Sequence, residues 1–138
     1  MAEKPVNTPK PSQVKLNRGE GSLQLIYPGE GEFTLSGEYL RVYSPSAEVR
    51  GHGPGEEVLQ HSKSRVKISK LEPMGHYALR ITFDDGHNTG IYGWDYLYDL
   101  CVNYEQHWQD YLDRLKQAGK HRDPDVQVVQ LMDPGKNS

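Results

Sequence analysis

One cysteine, Cys101, and two phenylalanines are all that this 138-residue chain holds of those residue types. A single thiol excludes an intramolecular disulfide and a cysteine-rich zinc site. A basic excess is also missing: 16 Lys and Arg face 19 Asp and Glu, for a formal net charge of -3. Proteins that grip nucleic acids neutralise phosphates and carry the opposite balance, so no nucleic-acid partner is expected. The stretch from Met1 to Val14 has prolines and polar residues but no apolar run, and so reads as neither a secretion signal nor a membrane span. No membrane partner is expected, and the cytoplasm is the default location. Apolar residues make up only 35% and are unevenly spread, which suits one compact domain with polar ends rather than two domains.

Pro5, Pro9 and Pro11 lie among polar residues, so residues 1–11 read as a flexible tail. Residues 13–17 and 22–27 read as short strands, the second with Leu23, Leu25 and Tyr27 alternating, and Phe33 with Leu35 suggests a third. Ser36 is placed to cap a turn of helix carrying Tyr39, Leu40 and Tyr43, which Pro45 ends. Val66, Ile68 and Leu71 mark the next strand. Tyr77, Leu79, Ile81 and Phe83 alternate along another, Asp85-Gly86 fits a two-residue hairpin turn, and Thr89, Ile91 and Tyr92 return. Trp94, Leu97, Cys101, Tyr104, Trp108, Tyr111 and Leu115 recur by threes and fours, predicting one helix from about Trp94 to Ala118 that Gly119 ends. Residues 119–138 read as a second flexible tail. The expected fold is α+β: a small antiparallel sheet with a hairpin, packed on a long C-terminal helix, over residues 12–118.

Several residues could carry function. With a two-residue turn, Asp84 lies directly opposite His87 and would accept its hydrogen bond; such pairs are more often structural than catalytic. Cys101 falls in the apolar helix stripe, which makes it a core residue before a nucleophile. Gly51-His52-Gly53-Pro54-Gly55 lacks the Lys-Ser/Thr ending of a phosphate loop. Lys63, Arg65 and Lys67 alternate along the expected strand and would line one face, either as a solvated surface or for an anionic partner. Tyr96 and Tyr98 cannot share the buried stripe with Trp94, which suggests an exposed aromatic patch and a protein interface.

Leu71-Glu72-Pro73-Met74-Gly75-His76-Tyr77-Ala78-Leu79-Arg80 and Phe83-Asp84-Asp85-Gly86-His87-Asn88-Thr89-Gly90-Ile91-Tyr92, with Leu40-Arg41 before them and Trp94 and Leu97 after, carry a resemblance. The chain resembles the gamma-butyrobetaine hydroxylase-like N-terminal domain, long described as a domain of unknown function, in its stand-alone bacterial-type form. In full-length hydroxylases such a domain precedes a catalytic domain that binds iron and 2-oxoglutarate. This chain has no room for that domain, and its one His-x-Asp, His121-Arg122-Asp123, is followed by no histidine. The hydroxylase N-terminal domains hold a structural zinc with three cysteines after the Leu-Arg pair and the histidine of Asp-Gly-His. Those positions fall approximately at Ser44, Ser46 and Val49, so His87 alone survives, with Glu48 and His52 as the nearest substitutes. The resemblance therefore implies a chain that is not an enzyme by itself and has no bound cofactor. It implies a non-catalytic interaction or adaptor domain with an unknown protein partner. The habit of relatives to be fused to ATPases of the iron–sulfur-carrier type links it to iron–sulfur or iron-handling proteins. The alternative is a small protein that binds iron, zinc or another ligand through His87, Asp84 and the loop from Glu48 to His52.

Overall fold

The computed structural model describes residues 9–51, 53 and 55–126. The class is α+β, as expected, but the strands form two sheets. β1 (Gln13–Asn17), β2 (Ser22–Tyr27) and β3 (Gly31–Leu35) make one antiparallel sheet in that order. α1 (Gly37–Val42) and the single turn α2 (Ala47–Arg50) follow. β4 (Ile68–Met74), β5 (Ala78–Phe83) and β6 (Gly90–Gly93) make the second antiparallel sheet, and α3 (Trp94–Val102) and α4 (Tyr104–Ala118) complete the order. Among the described residues no helix is long and apolar enough to cross a membrane.

Local chemistry accounts for most elements. Alternation along β2 turns Leu23, Leu25 and Tyr27 inward, and on β5 Leu79, Ile81 and Phe83 do the same. Ser36 Oγ accepts from Tyr39 N–H at 3.0 Å and caps α1 as its position predicts. The inward faces of both sheets close on Tyr39, Leu40, Leu97 and Leu100 to form one core. Two buried tyrosines anchor that core by their hydroxyls, Tyr39 donating to Leu100 O (2.7 Å) and Tyr92 to Leu40 O.

Four expectations are corrected. The long helix is two: Asn103 leaves helical geometry (φ -108, ψ 28) between α3 and α4. Asp99 stitches the break, accepting from Asn103 Nδ2 at 2.7 Å and lying 2.9 Å from His107 Nε2. A run of threes and fours looks the same whether or not the axis bends. Second, Lys63, Arg65 and Lys67 precede β4 instead of lying on it. The Asp84 carboxylate and amide bond to the Lys67 backbone there (3.0 and 2.8 Å), and the register slips between Ile68 and Lys70.

Third, the tight turn that opens the connection from β5 to β6 has three residues, 84–86. Phe83 N–H donates to His87 O (2.9 Å), Gly86 N–H donates to Phe83 O (3.0 Å), and in this turn only Gly86 takes positive φ, at +93. That is a type I turn closed by a left-handed glycine, not a two-residue turn, so Asp84 does not face His87. Fourth, the expected C-terminal tail is docked as far as it is described. Ser62 and Ser64 N–H donate to His121 O and Arg122 O (2.7 and 2.9 Å). Arg122 makes two 2.8 Å bonds to the buried Glu38 carboxylate. Residues 1–8 and 127–138 of the two expected tails, and His52, lie outside the described residues.

Candidate functional site

The motif histidine sits at the end of the second sheet, against the loop between α1 and α2. His87 is 8% exposed. Its Nδ1 lies 3.1 Å from Glu48 Oε1, and its Nε2 lies 2.9 Å from Ser44 Oγ and 3.4 Å from Ser46 Oγ. A carboxylate only accepts, so Nδ1 carries a proton, and in the neutral ring Nε2 then accepts from a serine hydroxyl. Burial first, and then the Arg41 guanidinium, hold the imidazole below its usual pKa, against the pull of Glu48 and Asp85.

Asp85 is the second hub. Its carboxylate takes Arg41 Nε at 2.8 Å, Lys63 Nζ at 3.3 Å and the His87 N–H at 3.1 Å. Burial opposes ionisation, yet the His87 N–H and the two cations outweigh it and keep the carboxyl below its usual pKa. The Leu-Arg pair and the Asp-Gly-His turn are thus two halves of one ion pair, 44 positions apart.

Serine, histidine and acid here follow the bonding order of a hydrolytic triad. The nucleophile's position defeats that reading. Ser44 is 1% exposed, and a Cβ added to Gly90 would meet its Oγ at 2.5 Å, which leaves no space beside it for a substrate carbonyl. Nor does the set fit a structural zinc of the kind that the hydroxylase N-terminal domains hold. Two hydroxyls and Val49 stand where thiolates would be, and the His87 nitrogens are both engaged. Among the described residues no three His, Cys, Asp or Glu converge as a metal-binding group. Cys101 is buried, and burial pushes its thiol up to about 12.

The other sequence candidates are dispersed. Asp84 holds the Lys67 backbone. Lys63 serves Asp85, Arg65 pairs with Asp125 at 2.5 Å, and Lys67 Nζ donates to Gly19 O at 3.1 Å, so no basic stripe forms. Tyr96 and Tyr98 are half-buried and do not make an exposed patch. Tyr96 Oη donates to Tyr43 O at 2.6 Å, and Tyr98 Oη donates to Glu30 while its ring meets Tyr27 edge-on.

Two concave sites were not visible in the sequence. One is a cleft of about 510 Å³ between the α1–α2 loop, residues 57–60, Tyr96 and α4. The Ser44–His87–Glu48 clip fixes the loop that forms one wall of it. The other, about 610 Å³, runs between β3 and the α3–α4 junction, where Val102 (45%) and Tyr104 (37%) are exposed. The break at Asn103 creates that surface, and the unbroken periodicity hid it.

Comparison with known proteins agrees with this frame. The family model described as gamma-butyrobetaine hydroxylase-like, N-terminal, matches residues 14–98. One similar NMR solution structure is 49% identical over 91% of this chain and 99% of its own, with a TM-score of 0.77. A second is 43% identical over 96% and 99%, with a TM-score of 0.73. A crystal structure of a protein of unknown function from Acidithiobacillus ferrooxidans, of the DUF971 family, is 28% identical over 66% of this chain and 91% of its own, with a TM-score of 0.50. No curated protein matches.

Proposed function

Because this chain belongs to the gamma-butyrobetaine hydroxylase-like N-terminal family, we propose that it works as a non-catalytic adaptor whose protein partner docks between β3 and the α3–α4 junction. The observation that carries this reading is the exposure of Val102 and Tyr104 on one groove bordered by an edge strand. Among the described residues β3 pairs with β2 alone, so its outer edge offers backbone donors and acceptors to an extended segment, and Val102 and Tyr104 offer apolar seats for its side chains. Glu32 and Glu105 on the same groove favour a basic segment. The groups with chemical potential elsewhere, Ser44, His87 and Cys101, are committed to packing and internal hydrogen bonds.

The fusion of relatives to ATPases of the iron–sulfur-carrier type makes iron–sulfur and iron-handling proteins the first partners to assay. The test compares capture by the wild type, Val102→Asp and Glu105→Lys, with folding checked by NMR. A partner retained by the wild type and lost by both variants supports this docking face. Capture unaffected by either variant overturns it.

A further inference from the structure

The cleft behind the α1–α2 loop has a character that the adaptor surface lacks. Two guanidiniums line it, Arg50 from the end of α2 and Arg114 from α4. Among the described residues neither has a carboxylate within ion-pair distance, although Arg41, Arg65, Arg80 and Arg122 all do. Each instead lies over a tyrosine ring, Arg50 Cζ at 4.8 Å from the Tyr96 centroid and Arg114 Cζ at 5.7 Å from that of Tyr43. The rings are themselves fixed: Tyr96 Oη donates to Tyr43 O, and Tyr43 Oη donates to His107 O, both at 2.6 Å. Two cations are thus seated in advance on anchored aromatic faces, which lowers the ordering cost of binding an anion.

Val42, Val49, Leu59 and Tyr111 supply apolar wall. The Val58 N–H bond to Val49 O (2.8 Å) ties the 57–60 wall to α2. A volume of about 510 Å³ lies in the range of small-molecule sites, which are apolar pockets with a few placed polar groups. Glu57 also lines the cleft and would repel a second negative charge. The other groove carries Glu32 and Glu105 and no arginine, so the anion-accepting character belongs to this cleft alone of the two.

We infer that this cleft binds a small organic monoanion, a carboxylate on a compact apolar body, with Arg50 and Arg114 receiving the carboxylate and the valine, leucine and tyrosine walls receiving the body. A planar carboxylate matches the guanidinium fork. The site is independent of the docking face proposed above.

The experiment is an NMR titration of the full chain with 3-phenylpropionate. Two controls go with it: 3-phenylpropanamide, which keeps the body without the charge, and inorganic phosphate, which keeps charge without the body. The expected result is amide shifts concentrated at Tyr43, Val49, Arg50, Tyr96 and Arg114, with the carboxylate binding about tenfold tighter than the amide. Arg50→Gln and Arg114→Gln should each weaken it several-fold. Arg50 is exposed, so its variant keeps the test usable if Arg114→Gln disturbs the fold. Equal affinity for the amide, phosphate binding as tight as the carboxylate, or shifts scattered away from the cleft would each overturn the inference.

Discussion

Ser44 and His87 meet in a 2.9 Å hydrogen bond across 43 positions of chain, and both side chains are buried. In the neutral imidazole, with its proton on the Glu48 side, Nε2 accepts this bond from the serine hydroxyl. His87 is held below its usual pKa of 6.5 in the folded chain, so between the two values the unfolded chain binds a proton that the folded chain does not. Stability contributed by this group is complete above 6.5 and is lost as pH falls from there towards the lower folded pKa. Denaturant unfolding from pH 8 to pH 5 should show that loss, and His87→Gln should give a shallower slope. Equal slopes in wild type and variant would mean that His87 titrates alike in both states.

Any side chain at Gly90 should be destabilising while Ser44 stands. A Cβ at position 90 would lie 2.5 Å from Ser44 Oγ and 3.0 Å from the Tyr92 ring. Gly90→Ala is expected to cost about 2 kcal/mol by overpacking. In a Ser44→Ala background the added cost should drop by about half, because the nearer obstacle is gone. Strict additivity in that double-mutant cycle would show that the strain lies elsewhere.

Tyrosine hydroxyls divide into two kinds. Tyr92 donates to Leu40 O and Tyr39 to Leu100 O, whereas Tyr27 Oη is buried with no well-formed hydrogen bond among the described residues and only the weakly bonding Cys101 thiol beside it. Tyr92→Phe and Tyr39→Phe should each destabilise by about 1 kcal/mol or more, leaving a buried carbonyl unpaired. Tyr27→Phe should be neutral or stabilising by about 1 kcal/mol. A clear loss for Tyr27→Phe would reveal a partner for that hydroxyl.

The donor set around His87 predicts no stoichiometric zinc or iron in protein purified without chelator or affinity tag. Elemental analysis checks this. One equivalent of metal, lost in His87→Ala, would show that other ligands had replaced the thiolates.

Glu38 is 4% exposed and has Arg122 as its one cationic partner among the described residues. Arg122→Ala is expected to destabilise by about 2 kcal/mol, a value below that of a fully buried pair because Arg122 is partly in solvent. Amide exchange at Ser62 and Ser64 should accelerate with it, since their N–H groups bond to His121 and Arg122 carbonyls. Unchanged exchange would separate the ion pair from the docking of that segment.

What the sequence made legible was what neighbours in the chain decide. The alternation in β2 and β5, the Ser36 cap and the glycine after α4 all follow from local period and turn chemistry. The resemblance placed Ser44, Ser46, Val49 and His87 in one metal position, and the fold brings three of them, Ser44, Ser46 and His87, together as hydrogen-bond partners. The reading of Asp84 failed by one residue. A three-residue turn in place of two sends its side chain to Lys67 and leaves Glu48 to meet His87. Tyr96 and Tyr98, set apart from the stripe as an exposed patch, are half-buried against the same core as Trp94, under Arg50 and the Tyr43 carbonyl in one case and against Tyr27 and Glu30 in the other. Pairs such as Arg41–Asp85 and Glu38–Arg122, and the approach of Arg50 and Arg114 to one cleft, join residues far apart in the chain, and no periodicity encodes them.

Arg122 lies beyond α4 yet grips α1, with its guanidinium over Trp108 on the way. Tension applied to the chain after residue 126 would therefore reach α1 through the Arg122–Glu38 pair before it could peel α4 from its C-terminal end. Any domain joined there would be tethered to the middle of this fold, and removal of the chain after Gly119, where α4 stops, would take away the fastening and strand a carboxylate inside.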